Sequence, residues 1–356
     1  MDDGPRRPGT PRGRGTALNP PNRFDRLFVE DDPDATAEEA TAPKTQYLRD
    51  ASRSIVARND SPDVGFERSV NPYRGCQHGC VYCFARPTHE YLGFSAGLDF
   101  ETKILVKEKA PELLRAELSS PGWKPQVVAM SGVTDPYQPV ERKLGLTRRC
   151  LEVLAEFRNP VLVITKNHLV ARDTDLLGEL ARERASGVFL SVTTLDQDLQ
   201  RVLEPRTSPP ARRLEAISAL AAAGVPVGVL VAPVIPALTD HEIPAIVAAA
   251  ARAGARFAGH VPLRLPWAVK DLFERWLSDH FPDRKEKVLN RIRSLRGGRL
   301  NDPAFGSRLR GEGAFAEEMH VLFAIACRRA GIADGRVELS TAAFRRPGGR
   351  QLGLFQ

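Results

Sequence analysis

Cysteine is scarce and unevenly placed: five residues in a chain of 356, three of them crowded at Cys76, Cys80 and Cys83 and two isolated at Cys150 and Cys327. No even, dispersed disulfide framework can be built from that distribution, so a secreted, cross-linked scaffold is excluded and a reducing cytoplasm is expected. The opening MDDGPRRPGTPRGRG lacks an apolar core and cannot act as a secretory signal. No internal repeat stands out. Charge is missing from 216-AISALAAAGVPVGVLVAPVIPAL-238, a run long enough to span a bilayer. Gly224, Pro226, Pro233 and Pro236 divide it into a helix end, a β-branched strand and a turn, which is how a buried parallel strand reads. No membrane association is expected.

Large apolar residues are also sparse in residues 1–45, which are rich in Pro, Gly, Arg and acidic side chains and predict a disordered arm. The tail 336–356 contains 345-RRPGGRQLGLFQ-356 and is expected to be flexible. Between these ends, short β-branched runs alternate with amphipathic ones: 126–130 with 143–157, 161–165 with 174–185, 188–194 with 211–223, and 226–232 with 240–253, then a strand near 256–263. That alternation predicts parallel β/α units. Thr239 and Glu242 have capping-box spacing, and Ser208-Pro209 suits a helix start. About six units are visible, too few to close an eight-fold barrel. The expectation is an α/β fold: a partial (β/α)6 barrel of TIM type over 46–265, a C-terminal helical extension over 266–335, and flexible termini.

The segment 71-NPYRGCQHGCVYCFA-85 holds its thiols at the spacing C-x3-C-x2-C. Structural zinc needs four ligands and usually shows paired hairpins; the second pair is missing, although His78 or His89 offers a fourth donor. Soft thiolates at short loop spacings also suit an iron–sulfur cube. Three thiolates would ligate three irons and leave the fourth open. With Tyr82 just before the third cysteine, this segment resembles the signature of radical S-adenosylmethionine (SAM) enzymes. The segments 131-SGVTDPYQPVE-141, 163-VITK-166, 190-LSVTTLD-196, 203-LEPRTSPPARRLEAI-217 and 230-LVAPVIP-236 extend the resemblance to the spore photoproduct lyase-like branch. A bacterial group in that branch shares the SPD-x-GF, NPYRGC-x-HGC-x-YCFARP and TDPYQP blocks, and the similarity covers roughly residues 45–330.

The resemblance implies a [4Fe–4S] cluster on Cys76, Cys80 and Cys83, with SAM chelating the open iron. One electron from a reductant such as flavodoxin or ferredoxin would then release a 5′-deoxyadenosyl radical. It also implies SAM contacts at strand ends. Tyr82 would lie near the adenine, or merely cover the loop. Ser131, Thr134 and Asp135 stand where the methionyl amino group is held, or form a turn before Pro136. Lys166 would meet the methionyl carboxylate; its alternative is an ion pair to Asp173 or Asp135. Ser191 and Glu204 would face the ribose, or satisfy a backbone group and pair with Arg206 or Arg212 respectively. Ala232 would let the backbone approach the adenine, or simply fill core. Spore photoproduct lyases carry a further cysteine after the second strand as hydrogen donor, whereas residues 126–141 contain none; Tyr137 is the candidate substitute.

The net charge of +7 and pI near 9.3 favour a polyanionic partner such as nucleic acid. Gln351, Leu352, Leu354 and Phe355 resemble the peptide by which bacterial proteins dock on the DNA sliding clamp. Two classes follow: a radical SAM enzyme acting on a nucleic-acid lesion or modified base, and a non-catalytic metal- or Fe–S-binding protein recruited to DNA through the clamp.

Overall fold

The computed structural model describes residues 11, 13–24, 44–335 and 337–347. Its strands are β1 (Gln46–Arg49), β2 (Val56–Arg58), β3 (Arg68–Val70), β4 (Tyr73–Arg74), β5 (Lys103–Val106), β6 (Val128–Met130), β7 (Val161–Thr165), β8 (Ser186–Ser191), β9 (Val227–Val234), β10 (Phe257–Pro262) and β11 (Ala333–Asp334). Its helices are α1 (Leu98–Thr102), α2 (Ala110–Ser119), α3 (Glu141–Leu144), α4 (Leu146–Phe157), α5 (Thr174–Arg182), α6 (Gln197–Leu203), α7 (Pro210–Ala222), α8 (Ile243–Arg252), α9 (Val269–His280), α10 (Lys285–Ser294) and α11 (Ala314–Ala330).

The main sheet runs β11-β10-β9-β8-β7-β6-β3-β2 and is parallel except where β2 meets β3. Six of these strands, β3 and β6 to β10, form the partial barrel, joined through helices in the expected α/β order. Every residue of β8 is buried, which explains why its sequence shows no alternation. Helix α4 turns Cys150, Leu151, Leu154 and Phe157 into the core, and α8 adds Ile246, Val247 and Ala250. Each such large aliphatic or aromatic side chain removed from water contributes about 1.5–3 kcal/mol. Cys150 and Cys327 are core residues of this kind. The uncharged run near 216–238 is the end of α7, a turn and β9; among the described residues no helix is long and apolar enough to cross a membrane.

The first barrel strand, β3, is only three residues long and carries Arg68 and Ser69, so it has no readable pattern. A side sheet ordered β1-β5-β4 was likewise not anticipated. It delivers the chain through Arg74 directly into the cysteine loop.

Within both termini, the described stretches are fixed to the rest of the chain. Residues 13–24 are fixed to the cysteine-bearing region: Gly15 N donates to Glu101 Oε2 (2.9 Å), Leu98 N to the Leu18 carbonyl (2.8 Å), and Asn22 Nδ2 to the Glu90 carbonyl (2.8 Å). Order here comes from backbone and amide hydrogen bonds to loops far away in sequence, a signal that hydrophobicity does not carry. Residues 337–347 run beneath the amino ends of the strands. Ser340 N bonds the Arg184 carbonyl (2.8 Å), Arg345 N the Phe157 carbonyl (2.9 Å), and Phe344 stands 6.3 Å from Phe157. The clamp-like residues Gln351, Leu352, Leu354 and Phe355 lie outside the described residues.

Two capping expectations are corrected. Pro209, not Ser208, occupies the N-cap position of α7, with no side-chain cap; Ser208 Oγ instead accepts from His168 N (2.8 Å). Thr239 Oγ1 accepts from Ile235 N (2.9 Å), while Glu242 reaches across to Thr194 Oγ1 (2.6 Å) and Leu195 N (2.7 Å). Long-range partners outcompete the local box.

Candidate active site

The cysteine loop lies beyond the carboxyl end of β3. Gly79 has φ +68°, a conformation L side chains rarely adopt, and a Cβ there would meet Glu101 Oε2 at 2.7 Å. Arg86, fully buried, ties the loop together by donating to the carbonyls of Cys80 (3.0 Å), Ala96 (3.2 Å), Gly97 (2.8 Å) and Gly79 (3.3 Å), and to Glu101 Oε1 (2.5 Å). Five polar contacts offset the cost of burying this charge. From below, Thr134 Oγ1 donates to the Gly75 carbonyl (2.6 Å), and Gln138 links Gly75 O (3.1 Å) with Gln77 N (3.0 Å). Helix α9 covers the far side, where Phe273 and Trp276 pack with Val81 and Tyr82.

Cys76, Cys80 and Cys83 are free thiols, the first two buried. Burial pushes the Cys80 thiol well up, with Glu204 adding to it; burial and then Cys76 push Cys83 up to about 11. Thiols so placed stay protonated until a metal displaces the proton. Of the two histidines that offered a fourth ligand, His78 is engaged through both ring nitrogens and His89 through Nε2, its buried Nδ1 having no hydrogen-bond partner among the described residues. His78 places Nδ1 3.3 Å from Asp135 Oδ2 and Nε2 3.1 Å from the Asn167 amide. Burial opposes its charge, but Asp135 and Cys76 hold its pKa up at about 9. His89 Nε2 lies 2.9 Å from the Lys103 carbonyl and its ring sits against Phe100; burial lowers its pKa to about 4. Among the described residues, no three His, Cys, Asp or Glu side chains are grouped to hold one metal ion. Thiolates that each bind a different iron need no common centre, so the donor set fits a cluster with three protein ligands better than a closed zinc site.

Next to the loop stands a buried polar network. Lys166 Nζ, just past β7, donates to Ser191 Oγ (2.9 Å), Thr193 Oγ1 (3.1 Å) and the Ala232 carbonyl (2.9 Å), and pairs with Glu204 Oε1 (3.1 Å). It also lies 5.6 Å from the centre of the Tyr82 ring. Glu204 accepts from Tyr82 Oη, Thr193 Oγ1 (2.6 Å) and Arg213. Burial alone would raise its pKa, but Arg213 and then Lys166 hold it well below the usual carboxylate range. Ser191 Oγ also donates to the Ala232 carbonyl (2.8 Å), which lies 3.0 Å from Thr193 Oγ1. Thus Tyr82, Lys166, Ser191, Glu204 and Ala232, drawn from five separate segments, meet in one place.

Asp135 lies one step away. It accepts from Lys166 N (2.8 Å), Thr165 Oγ1 (2.7 Å) and Tyr137 N (2.8 Å), and so joins His78 to the lysine strand. Ser131 follows β6 half-buried. Tyr137 takes part in a different network: fully buried, its hydroxyl donates to Asp173 Oδ2 (3.0 Å), which Arg148 and Arg172 also engage. The phenol is thereby directed into the Asp173 ion-pair network, and a hydrogen-donor role finds no geometric support. Two ion-pair alternatives are also corrected. The partner of Glu204 is Arg213 rather than Arg206 or Arg212, and the side chain of Lys166 pairs with Glu204 rather than Asp173 or Asp135.

Sequence reasoning missed Thr193, Arg213, Asn167 and Arg86. Thr193 and Arg213 lie inside segments singled out by resemblance, yet nothing local distinguishes Arg213 from two neighbouring arginines. Only the turn of α7 decides which one points inward.

An open parallel barrel with a free-thiol loop and a buried Lys–Glu network at its carboxyl end defines an α/β-barrel protein suited to a three-ligand cluster. The Radical SAM superfamily model matches residues 70–250, and the chain belongs to that superfamily. An uncharacterized protein of Mycobacterium tuberculosis is 38% identical over 248 residues, covering 69% of this chain and 72% of that one. One from Methanocaldococcus jannaschii is 28% identical over 184 residues, covering 52% and 66%. Among solved structures, a spore photoproduct lyase variant aligns with a TM-score of 0.60 at 16% identity, covering 82% of each chain. A lyase variant with bound AdoMet and dinucleoside spore photoproduct aligns with a TM-score of 0.57 at 16% identity and the same coverage. The fold is therefore that of the spore photoproduct lyase-like branch.

Proposed function

We propose that this protein is a radical SAM enzyme acting on nucleic acid in a reducing cytoplasm, with Cys76, Cys80 and Cys83 as the ligands of a [4Fe–4S] cluster. The observation that carries this reading is the juxtaposition of three free thiols with the Lys166–Glu204 network at one barrel end, in a chain of this superfamily. When bound and reduced by a protein such as flavodoxin or ferredoxin, the cluster supplies one electron to cleave SAM and yield a 5′-deoxyadenosyl radical.

The protein's own residues then have positional work. Lys166, its ammonium held by three neutral oxygens besides Glu204, is placed to meet the methionyl carboxylate. Glu204 keeps that lysine oriented, and its oxygens are committed to Arg213, Thr193 and Tyr82, so it acts as a positioning residue rather than a ribose ligand. Ser191 and the Ala232 backbone border the same space, and Asp135 with Thr134 would hold the amino end. The buried apolar cluster of Val81, Tyr82 and α9 would keep water away from a cluster held by the loop. The absence of cysteine from residues 126–141 argues against the spore thymine dimer as substrate.

Anaerobic reconstitution, reduction and incubation with SAM test the reading. It expects 5′-deoxyadenosine, lost in Cys76→Ala. Full iron and sulfide loading with no cleavage under several reductants overturns it in favour of a non-catalytic Fe–S protein.

A further inference from the structure

Arg264 stands two residues beyond β10, at the same end of the barrel as the cysteine loop. Its Nε is closed off from solvent without a hydrogen-bond partner. The carboxylates nearest to it are committed elsewhere. Asp63 accepts from Arg308 and from Gly306 N (2.6 Å), and Asp302 from Ala304 N (2.9 Å) and Ser307 Oγ (2.5 Å). Burial, then Arg308 and Arg296, lower its pKa to about 10, which still leaves it charged at neutral pH. A half-desolvated guanidinium among other arginines, with Asp63 and Asp302 acting on it only from a distance, is costly unless an anion arrives to meet it.

An exposed aromatic ring stands beside it. Phe84, the residue after Cys83, is 55% exposed, and the Arg264 guanidinium lies 6.0 Å from its centroid. Trp267, three residues on, is 56% exposed and carries Arg23 at 4.2 Å. Phe305 is 58% exposed, with Arg308 at 4.3 Å. Trp267 and Phe305 carry arginines that Glu90 and Asp63 neutralise, so Phe84 and Arg264 are the exposed ring and the guanidinium without an ion-pair contact among the described residues, a pairing that suits base stacking beside a phosphate contact.

We propose that Arg264 and Phe84 form a nucleotide-docking site at the barrel mouth, Arg264 binding a phosphate oxyanion bidentately and Phe84 stacking an unpaired base beside the cysteine loop. This rests on the reading that the mouth admits a nucleic-acid substrate, and it names the residues that would hold the strand.

The test is fluorescence anisotropy of a labelled single-stranded oligothymidylate with the reconstituted full-length protein over a range of NaCl concentrations. Arg264→Gln is expected to weaken binding about tenfold and reduce the slope of log K against log salt by about one, the signature of one lost phosphate contact. Phe84→Ser is expected to weaken it about fivefold without changing the slope. Arg264→Lys keeps the charge and loses the fork, so it should retain the slope while losing about threefold; it carries the test if Arg264→Gln does not fold. Arg182→Gln, on α5, should bind as the wild type does. Stronger competition by unlabelled strand than by dTMP assigns the site to nucleic acid, and equal competition assigns the same phosphate-and-base chemistry to a free nucleotide. Unchanged affinity and slope in Arg264→Gln and Phe84→Ser overturn the proposal. So does a loss of SAM affinity in Arg264→Gln with an unchanged oligonucleotide isotherm, which would give the guanidinium to the methionyl carboxylate. SAM cleavage by the wild type, assayed without nucleic acid, judges the underlying reading separately.

Discussion

Lys166 Nζ lies 3.1 Å from Glu204 Oε1, and the carboxylate is held from its other side by Arg213. One fully buried anion thus organises two cations, from the end of β7 and from α7. Removing it leaves both cations facing each other in a desolvated site. Glu204→Gln is expected to destabilise the fold by about 3–5 kcal/mol, read as a lowered midpoint in urea unfolding. Glu204→Gln combined with Arg213→Met should recover part of that loss, because the second change removes the stranded charge. Equal midpoints for wild type and Glu204→Gln would show that the network contributes no net stability.

Lys166→Met keeps the length of the side chain and removes its charge. If the ammonium meets the methionyl carboxylate, equilibrium dialysis should show SAM affinity falling at least about tenfold, about 1.4 kcal/mol. Iron and sulfide content should remain at wild-type levels, since Lys166 is no thiolate. Unchanged affinity would remove the lysine from the cofactor site.

Gly15 packs so closely on the cysteine loop that a Cβ would meet the Gly79 carbonyl oxygen at 1.8 Å. Gly15→Val therefore forces the arm away from the loop, at a cost of about 1–3 kcal/mol. Hydrogen exchange of residues 76–83 should accelerate in this variant, while exchange in β8 should stay at the wild-type rate. An unaltered loop would mean that the arm lies on the site without supporting it.

His260 on β10 places Nε2 2.7 Å from His320 Nδ1 on α11, with its ring centre 4.2 Å from that of Phe323. Burial, followed by His320 and Arg310, lowers its pKa from the ordinary 6.5 to about 4. The unfolded chain then binds more protons than the native one between those values. Stability contributed by the neutral ring is complete above about pH 6.5 and is lost as pH falls toward 4. His260→Gln should flatten that acid limb, reducing the loss at pH 5 by about 1–2 kcal/mol. Parallel midpoint-against-pH curves for variant and wild type would show that another group sets the acid limb.

Much of the barrel was legible in the chain. The runs at 161–165, 226–232 and 256–263 became β7, β9 and β10 with ends shifted by at most two residues, because buried parallel strands are marked by dense β-branched residues and bounded by Gly and Pro. Strand β3 was not legible: it is held in place by pairing with β6 and β2, and no composition marks it. The fixed arm at 13–24 was misread for a related reason, since its order rests on hydrogen bonds to Glu101, Glu90 and Leu98 rather than on its own apolar surface.

For the site, the spacing of Cys76, Cys80 and Cys83 in the sequence alone determined which thiols stand together, because a loop of that length cannot separate them. The family motifs further down the chain pointed to strand ends but left each residue two roles. Tertiary structure decided between them. It closed Glu204 against Arg213, placed Lys166 over Tyr82, sent Tyr137 to Asp173 and left Arg264 Nε without a hydrogen-bond partner at the mouth. Spacing fixes what lies within a few residues. Which charges meet across the barrel depends on helix phase and strand register, and these are set only when the whole sheet packs.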